Sequence, residues 1–264
     1  MAPSVARVAD TLESVALCIA DLTKSGDDTS TAPSNPPISP NHQSSTPNVA
    51  VDIEGIRLNR SGKVCIVQLK SNLSDIIWLL DVTTLGASAF NQTDAHGTSI
   101  RHILENPRVK KIFFDVRNDA DALYNQYGVD MVNVCDLQIL ELAVRRSNKR
   151  HSKMLTGLGK CLESYLTMGP EWVQTKDEGR RLFAPELGGS YDVFENRPLD
   201  PRLVRYCAHD VLLLDDLEIS LRRNFGRYGT NWNARVIAAS NSRVQEAKLS
   251  FVLTGRERAY SPKI

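Results

Sequence analysis

Residues 49–53, 63–70 and 76–82 are three runs of aliphatic and β-branched residues that follow one another across turns rich in Gly, Ser, Asn and Asp. The turns are too short to hold a crossover helix, so the spacing predicts an antiparallel meander of three strands. The pattern then changes. A helix near 99–104 precedes a fourth strand at 109–114, and a helix at 119–127 precedes a fifth at 132–135. Strands alternating with helices run parallel through right-handed crossovers. An α/β fold on a five-stranded mixed sheet is therefore expected. Beyond Asp136 only helices are expected, at 137–145, 155–166, 201–223 and 234–253.

Upstream of the meander the chemistry is different. Residues 4–23 place Val5, Val8, Ala9, Leu12, Val15, Ala16, Ile19 and Leu22 at helical spacing, which predicts an amphipathic helix over residues 1–23. Residues 24–48 are almost wholly Ser, Thr, Pro, Asn, Asp and Gly, too polar to offset the entropy of ordering, and are expected to be a disordered linker. A folded domain at 49–225 and a basic helical extension at 226–264, packed on it, complete the expected organisation.

Composition narrows the class. The 264 residues are 42% apolar and 24% charged with a net charge of +1, which excludes wholesale disorder, collagen and membrane-spanning chains. No run approaches the ~18 apolar residues of a membrane span, and the N-terminus lacks a basic, then apolar, secretory signal. An intracellular protein of the nucleus or cytoplasm, not secreted and with no membrane partner, is expected. Cys18, Cys65, Cys135, Cys161 and Cys207 are far apart and form no C-x-x-C pair, as reduced core thiols would be. Charge is uneven. Residues 219–264 hold nine Lys and Arg against Glu246 and Glu257, a surplus of seven, so the first 218 residues carry a net −6. A polyanionic partner beside a cation-binding body would produce this asymmetry, and so would solvated helix faces.

Acidic residues recur at informative spacings. Asp52 and Glu54 in VAVDIEG (49–55) are two apart on a strand and share one face, while Val51 and Ile53 supply the apolar other face. Two close carboxylates repel each other and resist desolvation, costs that divalent cations relieve; an exposed strand end would also tolerate them. Tyr206 and Asp210 in YCAHD are four apart, stacked on one helix face amid apolar neighbours. Asp119 opens a helix, where the dipole alone favours an acid. Four acids and a tyrosine in this order form a constellation that separate explanations do not cover.

These residues make the chain resemble the 3′-5′ exonucleases of the ribonuclease D and Werner type, the tyrosine-bearing DEDDy branch of the DnaQ-like superfamily. VAVDIEG matches the first motif, KKIFFDVRNDADALY (110–124) the second with Asp119 as its acid, and YCAHD (206–210) the third. Asp136-Leu137-Gln138, Leu158-Gly159-Lys160 and Arg197-Pro198-Leu199 are further family-like landmarks, and the likeness extends over about 49–217. The histidine branch would carry His where Arg205 stands. His209 lies about 100° around the helix from Asp210 and reads as a packing or surface histidine.

The resemblance implies a ribonuclease H-like fold and two-metal hydrolysis of phosphodiesters with Mg²⁺ or Mn²⁺. It implies Asp52 bridging two ions, Glu54 and Asp210 completing the first, Asp119 holding the second through water, and Tyr206 orienting the attacking water. The implied substrate is a single-stranded 3′ end, with RNA expected ahead of DNA although no short motif in the sequence separates the two; Arg145, Arg146, Lys149, Arg150 and Lys153 and the tail residues Arg256 and Arg258 are candidate backbone contacts by their charge, which solubility alone would also explain. No helicase segment accompanies the motifs, so helicase activity is not expected. Some stand-alone eukaryotic members have lost acids and act as RNA-binding adaptors. The complete acid set here favours an enzyme over such an adaptor.

Overall fold

Six strands form one sheet: β1 (Val5–Ala9), β2 (Asn48–Ile56), β3 (Lys63–Ser71), β4 (Ile76–Asp81), β5 (Lys110–Phe113) and β6 (Val134–Asp136), in the order β1-β4-β3-β2-β5-β6. The computed structural model describes residues 5–24, 47–150, 153–226, 231–249, 255–262 and 264. Strands β2, β3 and β4 pair antiparallel, and β5 and β6 add in parallel beyond β2. This is the expected mixed sheet, with β1 as a sixth strand at its edge.

β3 sits inside the sheet, and Val64 to Leu69 are fully buried, as a strand covered on both faces must be. One face is covered by α1 (Leu12–Leu22), α2 (Val82–Leu85), α3 (Ser88–Asn91), α4 (Ile100–Glu105) and α5 (Arg117–Tyr127). The other carries α6 (Leu137–Ser147), α7 (Leu158–Tyr165), α9 (Pro201–Leu212) and α10 (Leu214–Arg223), with α8 (Pro170–Phe183) packed on α9. Val49, Val51 and Ile53 of β2 join the first layer and Ala50 the second. Period-two alternation therefore points Asp52 and Glu54 toward the layer that contains α9.

The sheet is irregular where this matters. Glu54 pairs with Ile66 but Gly55 pairs with Val64, so β3 carries one extra residue, Cys65, in a bulge beside Glu54. A Cβ on Gly55 would lie 2.0 Å from the Lys63 carbonyl oxygen, so the glycine that closes VAVDIEG is a requirement of strand approach.

Three expectations change. Residues 5–9 are a strand: their Val and Ala spacing suits either period, and Val5 to Ala9 pair in parallel with Ile76 to Leu80 along the otherwise open edge of β4. The helix starts only after Thr11, whose side chain caps it by accepting from the Ser14 N–H, and Val15, Cys18, Ile19 and Leu22 form its buried face. The single helix expected at 201–223 is two, broken at Leu213. The 14-residue helix α8 was not anticipated, because Gly179 and a run of charged residues interrupt any apolar stripe. Of the expected linker at 24–48, residues 25–46 lie outside the described residues.

The last helix, α11 (Trp232–Glu246), lies against β6, α5 and α6 and buries Val236, Ser240, Arg243 and Val244. Arg243 Nη1 donates to Asp136 at 2.6 Å and Nη2 to Gln138 Oε1 at 2.9 Å, both in the interior. Asp136 also accepts the backbone N–H groups of Asp115, Val116 and Gln138, so one carboxylate fixes the entries to α5 and α6.

Gly55→Ala is expected to lower stability by about 1–3 kcal/mol through overpacking against backbone that cannot move aside. Gly159→Ala, in α7 with open space around its Cα, serves as the control and is expected to be neutral or to gain up to ~1 kcal/mol. Urea midpoints at constant slope measure both. By the same measure, Arg243→Ala is expected to cost about 3–5 kcal/mol, since it takes the guanidinium partner from the buried carboxyl of Asp136.

Candidate active site

β2 and α9 bring three carboxylates together. Oxygens of Asp52, Glu54 and Asp210 lie within 4.8 Å of one another, although Asp210 stands more than 150 positions from the other two in sequence. Asp52 and Glu54 are half-buried on β2, and Asp210 is buried on α9. Asp119 stands in the first turn of α5, also buried, outside that triplet but with Asp52 as its strongest charged neighbour.

Like charges taken out of water hold their protons. Burial first, then repulsion by Asp210, pushes Asp52 up to about 8. Burial and then Asp52 and Asp210 drive Glu54 well above the usual carboxylate range. Burial and Asp52 do the same to Asp119, and burial raises Asp210. Tyr206, one helical turn before Asp210, is driven up by burial and then by Asp210, Glu54 and Asp52, so its phenol stays protonated and can donate.

The cation that opposes this repulsion is Lys176 on α8. Its ammonium donates to Asp210 Oδ1 and lies 3.4 Å from the centre of the Tyr206 ring. Sequence reasoning missed it together with its helix; the legible signal was Lys176 and Gly179 three apart, hence on one face. Gly179 lets α8 reach α9, for a Cβ there would sit 2.3 Å from the Tyr206 Cβ. Phe183, one turn further along α8, meets the Tyr206 ring edge-on at 5.0 Å between centroids.

Two polar groups at the site are buried without hydrogen-bond partners among the described residues. One is Asp210 Oδ2. The other is the whole side-chain amide of Gln68, the residue across the strand pair from Asp52. Clustered hard oxygens with an orphaned lone pair form a donor set that suits a divalent cation. His209 is half-buried, and burial, then Lys176 and Arg205, press it down to about 4, so it is neutral at physiological pH.

The basic candidates lie elsewhere. Arg145 Nε donates to Glu141 at 2.7 Å, and Arg146 Nη2 to the Pro262 carbonyl at 2.8 Å. Lys149, Arg150 and Lys153 are exposed. Arg145 and Arg150 line, with Lys160 and Tyr165, a cavity of about 510 Å³ beside α6 and α7. Arg258 bonds the side chain of Asn118, next to Asp119, and its carbonyl accepts from Arg117. The side chain of Arg256 lies outside the described residues.

A family model described as a 3′-5′ exonuclease matches residues 39–225. The chain is 26% identical over 175 residues to the piRNA biogenesis protein EXD1 of Homo sapiens, and 26% identical over 129 residues to that of Bombyx mori. The human match takes in 66% of this chain and 32% of that protein, and the Bombyx mori match 48% and 38%, so the chain spans about a third of these relatives. Among solved structures, the Trypanosoma brucei RNase D:GMP complex superposes with a TM-score of 0.71 at 22% identity, over 95% of this chain and 67% of that one. The same enzyme with RNA U12 gives 0.67 at 22%, over 97% and 76%. Escherichia coli RNase D gives 0.60 at 18%, over 94% and 52%. At these identities the shared property is the ribonuclease H-like fold.

A carboxyl raised above its unfolded value binds its proton more tightly in the folded state, so its contribution to stability falls as pH rises from about 4 to about 8. In EDTA, Asp52→Asn is therefore expected to be more stable than the parent at pH 8, on the order of 1–2 kcal/mol. The gain is expected to shrink toward pH 4. Thermal melts across that range check the slope.

Proposed function

The chain belongs to the 3′-5′ exonuclease family, and on that footing we propose that it hydrolyses nucleotides from single-stranded 3′ ends, with Asp52, Glu54, Asp119, Tyr206 and Asp210 as the site. The supporting observation is the meeting of three carboxylates from β2 and α9 within 4.8 Å, one oxygen of which is buried and without a partner among the described residues. Asp52, Glu54 and Asp210 would hold one Mg²⁺ or Mn²⁺, and Asp119, reached from Asp52, a second. Two such ions, when bound, supply the charge that activates water on one side of the phosphate and stabilises the leaving 3′-oxygen on the other. Tyr206 keeps its proton and donates it in a hydrogen bond that orients the attacking water. Its ring is held for this by Phe183 on one side and Lys176 on another.

RNA is the favoured substrate, on the likeness to an RNase D solved with RNA and to proteins of piRNA biogenesis. Residues 49–225 would be the catalytic domain, and 226–264 the extension that brings Arg243 and Arg258 to it. Arg258, beside Asn118 at the start of α5, is the tail residue best placed to meet a phosphate near Asp119. Arg145, Arg146, Lys149, Arg150 and Arg256 would extend contact along the strand, at sites whose occupancy falls with salt. A nuclease-fold RNA adaptor with little turnover is the second possibility, supported by the likeness to the piRNA biogenesis proteins.

The two separate on 5′-labelled RNA and DNA oligonucleotides with Mg²⁺, Mn²⁺ or EDTA. The enzyme is expected to shorten RNA stepwise from the 3′ end with metal and to stop in EDTA. Asp52→Ala and Asp210→Ala are each expected to lose about 10³-fold or more in rate, and Tyr206→Phe roughly 100-fold. Full-length RNA retained by the parent with both metals, with binding intact, would establish the adaptor.

A further inference from the structure

We propose that Lys176 is a built-in counter-cation of the acid cluster, which divalent metal must displace from Asp210 in order to bind. The inference rests on the metal-binding reading of Asp52, Glu54 and Asp210 given above.

Lys176 is poorly placed for a surface lysine. Its side chain is only 17% exposed, its one carboxylate partner among the described residues is Asp210, and its ammonium lies over the face of Tyr206. No other lysine or arginine among the described residues is hydrogen-bonded to the triplet. Its charge acts on all three acids, since it is the strongest influence holding Asp52, Glu54 and Asp210 down against burial and mutual repulsion. Without a cation in this place the four acids would face one another unscreened in the interior.

The ammonium and a divalent ion compete for the same carboxylate. Lys176 takes Asp210 Oδ1, while Oδ2 is buried with no partner among the described residues. A metal on this carboxylate sits about 2.1 Å from an oxygen, and an ammonium about 2.8 Å. Two cations sharing it, one on each oxygen, would be within about 7 Å of each other, where their repulsion is large in a medium less polar than water. Lysine is suited to yielding, because its ammonium is a point charge on a flexible stem without the fixed fork of arginine.

The side chain can make the change while the helix stays. Gly179 is buried at its contact with Tyr206, and Trp172, Leu182 and Phe183 are partly buried against the core, so α8 is held on either side of Lys176 and the flexible lysine stem is the part that moves. Once released from Asp210, Lys176 retains the Tyr206 ring as a neighbour, which ties the occupancy of the metal site to the surroundings of the phenol. A site closed in most molecules binds with an affinity reduced by the open fraction. Lys176 therefore sets the metal concentration at which the site fills.

Lysine footprinting on the unmodified full chain tests this. The protein is acylated briefly with an N-hydroxysuccinimide ester in EDTA and in saturating Mn²⁺, and labelling is read by mass spectrometry, with calorimetry to establish Mn²⁺ occupancy. Lys176 labelling is expected to rise severalfold with Mn²⁺, while exposed Lys160 and fully buried Lys111 stay constant. In parallel, Lys176→Met is expected to bind Mn²⁺ about tenfold more tightly than the parent. Unchanged Lys176 labelling at full occupancy overturns the inference, and so does weaker Mn²⁺ binding by Lys176→Met. Asp52→Asn identifies the other failure: if it binds Mn²⁺ as the parent does, the metal site is not this one and both proposals fall.

Discussion

The repulsion among Asp52, Glu54 and Asp210 is the constraint around which the rest of the molecule is arranged. Three carboxylates within 4.8 Å, with Asp119 close behind, would push a flexible chain apart. They stay because each is mounted on an element anchored elsewhere: β2 inside the sheet, α9 across it, and α5 from the opposite layer. The burial of Val49, Val51 and Ile53 on one face of β2 fixes the two acids on the other. Core packing therefore supplies the energy that holds the acids in place, and their charge remains available for chemistry.

The mounting is exacting at two glycines. Gly55 admits the Lys63 carbonyl beside the bulge that follows Glu54, and Gly179 admits Tyr206 against α8. One sets where a carboxylate leaves the sheet. The other brings an ammonium and an aromatic ring to the same carboxylate, Asp210. Asp136 works at longer range. Buried, it gathers three backbone N–H groups and Arg243, and so fixes the start of the helix that carries Asp119. The aspartate and glutamine that resemble ribonuclease D at 136–138 thus have a physical role as a joint between β6, α5, α6 and α11.

The positive surplus of the last 46 residues has a related explanation. Arg243 is ion-paired with Asp136, Lys248 with Asp130 and Arg222 with Glu218, while Arg258 bonds the neutral Asn118 and keeps its charge. Three of the nine basic residues that look like a free polyanion-binding tail in the sequence are thus paired within the fold. What remains near Asp119 is a small number of guanidinium groups at defined positions, a different kind of surface from a diffuse basic arm.

The strands of the meander, the parallel pair after it and the spacing of Asp52, Glu54, Asp119, Tyr206 and Asp210 were legible in the sequence, because periodicity and neighbouring residues are local properties. Whether residues 5–9 become helix or strand was not, since five residues satisfy both periods and the open edge of β4 decides between them. Helix α8 was invisible for a similar reason. Its one fully buried residue is a glycine, flanked by the half-buried Trp172, Leu182 and Phe183, and its functional residue is a lysine whose partners lie thirty and more residues away. Sequence by itself determined which acids exist and which face of a strand they take, because a strand alternates whatever surrounds it. Only the tertiary structure decided that a lysine would meet them, because the helix that carries it is held by contacts with α9 and its apolar stripe is interrupted by Lys176 and Gly179 themselves.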